Sequence, residues 1–440
     1  MSLLTGVPIL ECMYVAACAR WAWKRCVHSG SQDSEHWGLA DSYNFAPVPR
    51  LCRLVLSVYE EDLRVPKWAP PGGYGINLAW IYKRADYDNT LGRVPPYFIY
   101  VDHQAQGIVL AIHGLSLKRE SDYALLLARK VGQELFDGGY VHHGLRQAAR
   151  WLLDEESKTL SALLCEHPSY KLTLAGHSLG AGIAAILAML MANLNGKGNG
   201  VSRDRIRCYA IAPARCMSLS LAVRYADAIN SVVLQDDFLP RTTTPLEDIF
   251  KCICCLPCLL CVGCISNTFT SEERLLKDPS RLYTPGQLYH IVERKLCRCS
   301  RYPPVVRTAI PVEERFERII LSCNATMDHS LVRIERVCQK ALELLAEKEN
   351  AQKVPGMEKM ERQAMLEVEY KEQHREALKK ATSLNASCAF PSYGTFGKGA
   401  WGKGESESFA ADKSKQHGGR AKSLDRTTME EATSSLVQST

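Results

Sequence analysis

The chain has 440 residues, a formal net charge of +6 and 46% hydrophobic residues. This length exceeds one ordinary domain, and the hydrophobic fraction is sufficient for a substantial core. The positive charges are scattered rather than gathered into a stripe, which excludes a typical nucleic-acid-binding protein. Eighteen cysteines would indicate disulfides in a small secreted chain. Because this chain is large, and because Pro8 and Glu11 interrupt its apolar start, we expect no secretory signal, a reducing compartment and free thiols.

Two helices are predicted near the start of the chain. The first covers residues 9–27, and its end combines tryptophans with cations: Arg20, Trp21, Trp23, Lys24 and Arg25. That mixture suits a membrane interface, a calmodulin-type groove, or a helix packed on the core with its charges outward. The second follows Pro47-Val48-Pro49 and places an apolar face on Leu51, Leu54, Val55 and Val58. A turn-rich loop over residues 66–75 separates these helices from the next segment.

From residue 77 onward, strand and helix patterns alternate. Predicted strands cover residues 79–84, 97–101, 107–112, 172–175, 206–211, 230–234, 287–292 and 318–323, and predicted helices include residues 122–128, 142–166 and 181–194. The continuously apolar run Gly107–Ile112 is typical of a strand buried on both faces of a parallel sheet. The alternation therefore predicts an α/β fold with an open, mostly parallel sheet and flanking helices.

The composition changes again after this segment. Residues 331–383 are charged with periodic Leu and Met, which predicts a solvent-facing helical arm or coiled-coil piece interrupted at Pro355-Gly356. Beyond residue 385 the chain is rich in Gly, Ser, Lys and Thr, which is typical of disorder. We expect a helical N-terminal region (1–76), an α/β domain (77–335), a charged helical arm (336–384) and a disordered tail (385–440).

The sequence Gly176-His-Ser-Leu-Gly180 lies between a predicted strand and a predicted helix. G-x-S-x-G in this context is a nucleophile elbow, in which a sharp, strained turn lifts the serine hydroxyl clear of the sheet. A side chain at Gly176 or Gly180 would clash where strand and helix approach each other. Ser178 is therefore the predicted nucleophile. His177 is expected to point elsewhere, because adjacent side chains leave a turn in different directions.

A serine nucleophile needs a base, and the base needs an acid that orients it. When this motif occurs on a sheet, the acid follows the serine along the chain and the histidine comes last. Asp236 and Asp237 follow the predicted strand 230–234. They would lie at the carboxyl ends of the strands, where open parallel sheets place their active sites. Of the two, we favour Asp237. His329 follows the last predicted strand and is the predicted base. His290 lies inside a strand pattern, which is more typical of a core or supporting residue.

In combination, these motifs resemble those of the class 3 lipases, including the sn-1-specific diacylglycerol lipases. The resemblance is carried by Gly176–Gly180, Asp237-Phe-Leu-Pro240, Val141–Leu145 and Ile112-His-Gly-Leu115. Leu10-Glu-Cys12, Ala19–Arg25 and Trp68–Gly75 are similar to the N-terminal region of a plant subgroup often labelled calmodulin-binding heat-shock protein. The resemblance extends over roughly residues 1–350. It implies an α/β-hydrolase fold of the class 3 lipase type, hydrolysis of glycerolipid acyl esters, and no metal or organic cofactor.

The resemblance also implies roles for individual residues. Ser178, Asp237 and His329 would form the catalytic triad. The backbone amides of Leu115 and Leu179 would bind the oxyanion.

The predicted oxyanion strand departs from the family pattern. That strand usually ends Arg-Gly-Thr or Arg-Gly-Ser, where the hydroxyl residue helps to bind the oxyanion, whereas this chain has His113-Gly114-Leu115. Losing one such donor costs about 10²–10³ in rate, unless Ser116 takes its place.

Six cysteines lie in an apolar insertion between the predicted acid and the predicted base. They are Cys252, Cys254, Cys255, Cys258, Cys261 and Cys264, within residues 250–266. Their spacing suits zinc or an iron–sulfur cluster, but the intervening residues are aliphatic rather than turn-forming. The uncharged stretch is too short to span a bilayer. We favour a membrane-contacting insertion whose thiols are open to S-acylation, and the alternative is a buried apolar loop.

The predicted function is a cytoplasmic, peripherally membrane-associated serine acylhydrolase that acts on glycerolipids such as diacylglycerol or monoacylglycerol. The alternative is a calmodulin-binding regulatory protein that keeps a hydrolase scaffold with little turnover. It is motivated by His113-Gly114-Leu115 and by the Trp/Arg helix.

Overall fold

The computed structural model describes residues 29–128, 135–195, 201–241, 281–294, 301–313, 315–316, 320, 322, 324–351 and 356–387. Three predictions lie outside these residues: the helix over 9–27, the cysteine-bearing insertion 250–266 and the tail beyond residue 387. The five cysteines that are described, Cys52, Cys165, Cys208, Cys216 and Cys338, carry free thiols.

The strands in chain order are β1 (Gly38–Leu39), β2 (Ile81–Ala85), β3 (Tyr97–Asp102), β4 (Gly107–Ile112), β5 (Leu135–Phe136), β6 (Gly139–Tyr140), β7 (Lys171–His177), β8 (Ile206–Ile211), β9 (Ile229–Leu234), β10 (Gln287–Arg294) and β11 (Arg301–Ala309). Within the described residues, nine of them form one sheet in the order β1-β11-β10-β9-β8-β7-β4-β3-β2. The five central strands β10, β9, β8, β7 and β4 are parallel, and antiparallel strands flank them on both sides.

The helices in chain order are α1 (Ser42–Phe45), α2 (Pro47–Val58), α3 (Tyr87–Thr90), α4 (Glu120–Leu127), α5 (His143–Glu166), α6 (Leu179–Asn195), α7 (Leu219–Arg224), α8 (Ala325–Asp328), α9 (Leu331–Ala351) and α10 (Gly356–Ser387). Proline suits the first position of α2, because an N–H there would have no intrahelical acceptor. The predicted apolar face of α2 is buried, which confirms that helix. None of the described helices is long and apolar enough to cross a bilayer.

Both faces of the sheet are covered, as the apolar strands predict. Alternate residues of β4 face opposite layers, so Ile108, Leu110 and Ile112 join one core cluster while Val109 and Ala111 join the other. Helices α5, α6 and α7 cover the first face, and α2 and α9 cover the second. This three-layer arrangement with a mostly parallel centre confirms the predicted α/β-hydrolase class.

The end of the sheet differs from the prediction. A strand was expected at residues 318–323, but Ile320 and Ser322 are not in a strand, and β11 is the last strand among the residues that the structure describes. Ile320 is nevertheless buried, so the apolar pattern reflected burial rather than strand pairing. Strand β11 contains Pro303 and Pro304, which sequence patterns count against strands. The two prolines lie where the pairing of β11 with β10 is irregular, opposite the register shift between Val292 and Arg294.

The charged C-terminal segment also differs in part from the prediction. Two helices, α9 and α10, do form on either side of residues 352–355. However, the inner face of α9 is not exposed to solvent, because Ile334, Cys338 and Ala341 are fully buried against the layer that contains α2. Part of α10 packs as well, with Ala381 buried in the opposite cluster. The charges therefore mark the outer faces of packed helices rather than a free arm.

Candidate active site

The elbow at Ser178 has the strained geometry that its sequence predicts. Strand β7 ends at His177, helix α6 begins at Leu179, and Ser178 between them has φ +56°. A Cβ atom placed on Gly176 would lie 2.4 Å from the Gly180 carbonyl oxygen, and one on Gly180 would lie 2.2 Å from the His113 carbonyl oxygen. No real Cβ tolerates such distances, so both glycines are required for strand, helix and neighbouring loop to meet.

Three distant side chains meet at this elbow in one hydrogen-bonded row. His329 Nε2 lies 3.1 Å from Ser178 Oγ, and His329 Nδ1 lies 3.0 Å from Asp237 Oδ1. Asp237 is fully buried and Ser178 is 7% exposed, whereas the His329 side chain keeps 17% of its surface open. The structure thus brings together the three residues that the sequence singles out as nucleophile, base and acid.

The two candidate acids are separated by the turn that follows β9. Asp237 faces the histidine, and its Oδ1 also accepts a 3.0 Å hydrogen bond from the Leu239 amide. Phe238 lies against the His329 ring, with centroids 5.0 Å apart. Asp236 points the other way, where its Oδ1 accepts a 3.0 Å bond from the Gly30 amide. The remaining alternative, His290, is buried in β10 between Ser34 and the Gln235 carbonyl.

A buried ionic cluster connects the loop that carries Asp237 with the loop that carries His329. Arg294, at the end of β10, contacts Asp236 at 3.3 Å and Asp328 at 3.1 Å, and these two carboxylates adjoin Asp237 and His329 in the sequence. Asp328 Oδ2 also accepts a 2.9 Å bond from the Asp236 amide, and Arg333 lies 3.3 Å from Asp328 Oδ1. Burial raises the pKa of Asp328, while these two guanidinium groups oppose that rise.

The loop after β4 carries the predicted oxyanion donor Leu115. The N–H of Ser116 donates a 2.9 Å hydrogen bond to the buried Asp122, which ties its backbone to that carboxylate. The Ser116 N–H is therefore not free to act as a substitute donor. Within the described part of the chain, the N–H groups of Leu115 and Leu179 have no protein acceptor, whereas the Ser178 amide donates to the Ile211 carbonyl at 3.0 Å.

His177 is directed away from the nucleophile but remains within the site. Its Nε2 lies 2.9 Å from the carbonyl oxygen of His329, and its Nδ1 lies 2.8 Å from the hydroxyl of Tyr59. Burial lowers the pKa of His177 well below its ordinary value, and the neighbouring His329 adds to this effect. The ring is therefore neutral near pH 7.

Sequence reasoning did not find Tyr59, Asp122, Arg294 or Asp328. Their contacts join positions as far apart as residues 59 and 177 or residues 294 and 328, which no local pattern reveals. Of these four residues, only Asp328 could have been suspected from the sequence, because it directly precedes the predicted base and a buried carboxylate there would need a cation as partner. Among the described residues, no group of three or more His, Cys, Asp or Glu side chains is arranged to hold a metal ion.

Comparison with protein families agrees with this geometry. Residues 109–247 match the family model described as lipase (class 3), and residues 9–76 match the one described as lipase 3 N-terminal region. The chain carries a class 3 lipase domain. The match begins in β4 and runs through the elbow to the residues just after Asp237, so it contains both Ser178 and Asp237.

Curated relatives of this class 3 lipase domain are diacylglycerol lipases. Mouse diacylglycerol lipase-beta is 32% identical over 166 residues, which are 35% of this chain and 23% of that protein. Secreted mono- and diacylglycerol lipase A of Penicillium cyclopium is 31% identical over 149 residues, which are 34% of this chain and 44% of that protein. The chain thus spans less than half the length of either relative.

Among solved structures, that of the Rhizomucor miehei triacylglyceride lipase is similar to the structure of this chain. The likeness has 16% identity and a TM-score of 0.45, and it covers 68% of this chain and 98% of that one.

Proposed function

We propose that this protein is a serine acylhydrolase that cleaves acyl esters of glycerolipids. The observation that carries the proposal is the row of hydrogen bonds in which His329 bridges Ser178 at 3.1 Å and Asp237 at 3.0 Å. Such a row, with the serine on a strained elbow at a helix N-terminus, is what acyl transfer by a serine hydroxyl requires.

The proposed reaction begins when the Oγ of Ser178 attacks the ester carbonyl carbon and His329 Nε2 takes the hydroxyl proton. Asp237 holds the imidazole tautomer and stabilises the imidazolium that forms. His329 then gives the proton to the leaving alcohol oxygen, which leaves an acyl ester on Ser178. A water molecule, deprotonated by the same histidine, hydrolyses this ester and releases the fatty acid.

The negative charge of the tetrahedral intermediate needs donors that are already in place. The amides of Leu115 and Leu179 are the candidates, because both lack protein acceptors among the described residues. Leu179 also begins helix α6, whose N-terminus carries partial positive charge. With leucine where the family has threonine or serine, the site works with two backbone donors, and a rate about 10²–10³ below that of a three-donor site is expected.

A glycerolipid substrate is supported by the relatives and by exposed apolar side chains next to the site. Met327, two residues before His329, is 56% exposed, and Leu117, two residues after Leu115, is 72% exposed. Large exposed apolar side chains this close in the sequence to residues of the site favour a substrate with acyl chains over a polar one. Diacylglycerol and monoacylglycerol are the proposed substrates.

The test is hydrolysis of a panel of mono-, di- and triacylglycerols and phospholipids by the full chain, with Ser178→Ala as the control. Fatty acid release from acylglycerols is expected, and Ser178→Ala should lower it about 10⁶-fold, as in other serine hydrolases. A fluorophosphonate probe should modify Ser178 in the wild type. A folded wild type with neither probe adduct nor fatty acid release would contradict the proposal.

Membrane association and calmodulin binding are further proposals that the sequence alone supports. Both the Trp/Arg helix over residues 9–27 and the cysteines of residues 250–266 lie outside the described residues. Calcium-dependent capture of calmodulin by a peptide of residues 9–28 tests the first segment. Sedimentation of the full chain with phospholipid vesicles, and hydroxylamine-sensitive acylation of the cysteines, test the second. A cytoplasmic, peripherally membrane-bound enzyme is the expected result.

A further inference from the structure

Tyr59, the residue that directly follows α2, brings a side chain from the N-terminal region into the candidate active site. Its hydroxyl oxygen accepts a 2.9 Å hydrogen bond from the Gly114 amide and lies 2.8 Å from His177 Nδ1. Its ring stacks on His113 with centroids 3.7 Å apart. A Cβ atom on Gly114 would lie 2.4 Å from the hydroxyl oxygen, so the glycine makes room for this contact.

The direction of the hydrogen bonds from Tyr59 towards the base follows from the chemistry of each group. The His329 carbonyl can only accept, so the proton of neutral His177 is on Nε2, 2.9 Å away. Nδ1 of His177 is then an acceptor, and the hydroxyl of Tyr59 must donate to it. A single relay therefore runs from the Tyr59 hydroxyl through the His177 ring to the backbone of His329.

A second set of contacts connects Tyr59 with the predicted oxyanion donor. His113, under the tyrosine ring, donates from Nδ1 to the Gly114 carbonyl oxygen at 2.7 Å. That carbonyl and the N–H of Leu115 belong to one planar peptide group, so fixing the first fixes the direction of the second. The amide on the other side of Gly114 is held by the Tyr59 hydroxyl itself.

We propose that Tyr59 is a positioning residue that holds the oxyanion loop and the catalytic base in register. This inference rests on the proposed function, since it concerns the same site. Each partner of the tyrosine adjoins a reacting group: Gly114 precedes Leu115, and His177 precedes Ser178 and contacts His329. The same contacts fix the direction of the Leu115 amide in a loop that lacks the usual hydroxyl donor. The N-terminal region is then part of the catalytic apparatus.

Tyr59→Phe tests the proposal, because it removes both hydrogen bonds and keeps the ring. The chain offers a matched control in Tyr225→Phe. Tyr225 is 2% exposed and its hydroxyl donates to Asp137 at 2.8 Å. It lies just before the amino end of β9, whereas Ser178 follows the carboxyl end of β7, at the opposite edge of the parallel strands. Each variant removes one tyrosine hydroxyl that takes part in partly buried hydrogen bonds.

The measurements are kcat and KM for a soluble short-chain ester, with enzyme concentration set by fluorophosphonate titration, and the melting temperature. Tyr59→Phe is expected to lower kcat about 10- to 100-fold with little change in KM, because a small misplacement of reacting groups is costly while the tyrosine touches no substrate. Tyr225→Phe should keep the wild-type kcat at a similar loss of melting temperature. Equal kcat values for wild type and Tyr59→Phe would overturn the proposal.

A second variant separates positioning from a general loss of stability. His177→Asn removes the imidazole that accepts from the Tyr59 hydroxyl and donates to the His329 carbonyl, while the tyrosine itself is kept. It also serves if Tyr59→Phe does not fold. If the two residues act through one relay, adding His177→Asn to Tyr59→Phe should lower kcat little further. If the double variant instead shows the product of the two single losses in kcat, the residues act independently and the proposal is overturned. The proposed function has its own readout, because a wild type without esterase activity or adduct refutes that function before any tyrosine variant is compared.

Discussion

Arg294 Nη1 lies 3.1 Å from Oδ1 of Asp328, the residue that directly precedes His329. The same guanidinium reaches Asp236, the residue that directly precedes Asp237, from 3.3 Å. All three side chains are at most 2% exposed. A single cation thus fastens the loop of the proposed base to the loop of the proposed acid.

Arg294→Met is expected to be strongly destabilising. Removing one partner from a buried ionic cluster leaves the carboxylates of Asp236 and Asp328 without their shared cation, which typically costs about 3–5 kcal/mol. The free energy of unfolding, measured by urea denaturation, should fall by this amount. Activity should fall as well, because the two loops lose their common anchor.

The control for that substitution is Arg375→Ala. Arg375 pairs with Glu372 at 3.3 Å on the surface of α10, where the two side chains are 66% and 61% exposed. Exposed pairs of this kind contribute about 0.2–1 kcal/mol at most. If Arg294→Met and Arg375→Ala changed the free energy of unfolding equally, the cluster behind the site would not be a major stabilising element.

Asp237→Asn should abolish most activity while the protein stays folded. An asparagine in place of the acid favours the wrong tautomer of the histidine, which costs about 10⁴ in kcat in serine proteases. The measurement is ester hydrolysis at saturating substrate. The comparison is Asp236→Asn, whose carboxylate faces Gly30 and Arg294 instead of His329. That variant should lose more stability than activity, and the reverse ranking would reassign the acid.

Sequence patterns predicted those parts of the fold whose signal is local. The elbow strand and helix, the buried strand Gly107–Ile112 and the helix predicted after Pro47-Val48-Pro49 are all present, because apolar periodicity is read within a few positions. The order of serine, acid and histidine also placed three candidate residues that the structure brings together.

Features that depend on contacts between distant residues could not be predicted. Strand β11 was missed because Pro303 and Pro304 weaken its pattern, whereas its pairing with β10 depends on the neighbouring strand. Tyr59 and Arg294 act through partners more than thirty residues away, so nothing in their own surroundings distinguishes them. The sequence favoured Asp237 but left Asp236 as an alternative, because the direction of the turn after β9 determines which carboxylate faces His329.

The stability of the protein should fall as the pH drops from about 6.5 to 4, and His290 should account for part of this loss. Burial, with a smaller effect of nearby Arg241, lowers the pKa of His290 to about 4, whereas an unfolded histidine titrates near 6.5. Between these values the unfolded chain binds one more proton than the folded chain. The contribution is thus fully present above pH 6.5 and is lost on acidification, by up to about 1.4 kcal/mol per pH unit.

The check is the pH dependence of the free energy of unfolding for His290→Gln. Its slope between pH 6.5 and 4.5 should be shallower than that of the wild type. His36→Gln, at an exposed position, should keep the wild-type slope. Parallel curves for the wild type and His290→Gln would show that this histidine is not held neutral in the fold.

Gly180→Ala should damage the site through sterics alone. The new methyl group would lie 2.2 Å from the His113 carbonyl oxygen and 2.8 Å from that of Ile112, so either α6 or the end of β4 must move. Overpacking of this kind costs about 1–3 kcal/mol, occasionally more. Because the displaced segment leads into Gly114 and Leu115, kcat should fall in addition to stability. Gly38→Ala is the matched control, since its methyl group would lie 3.7 Å from the nearest atom, in ordinary contact. Wild-type kcat in Gly180→Ala would mean that the loop after β4 need not stay fixed against the elbow for catalysis.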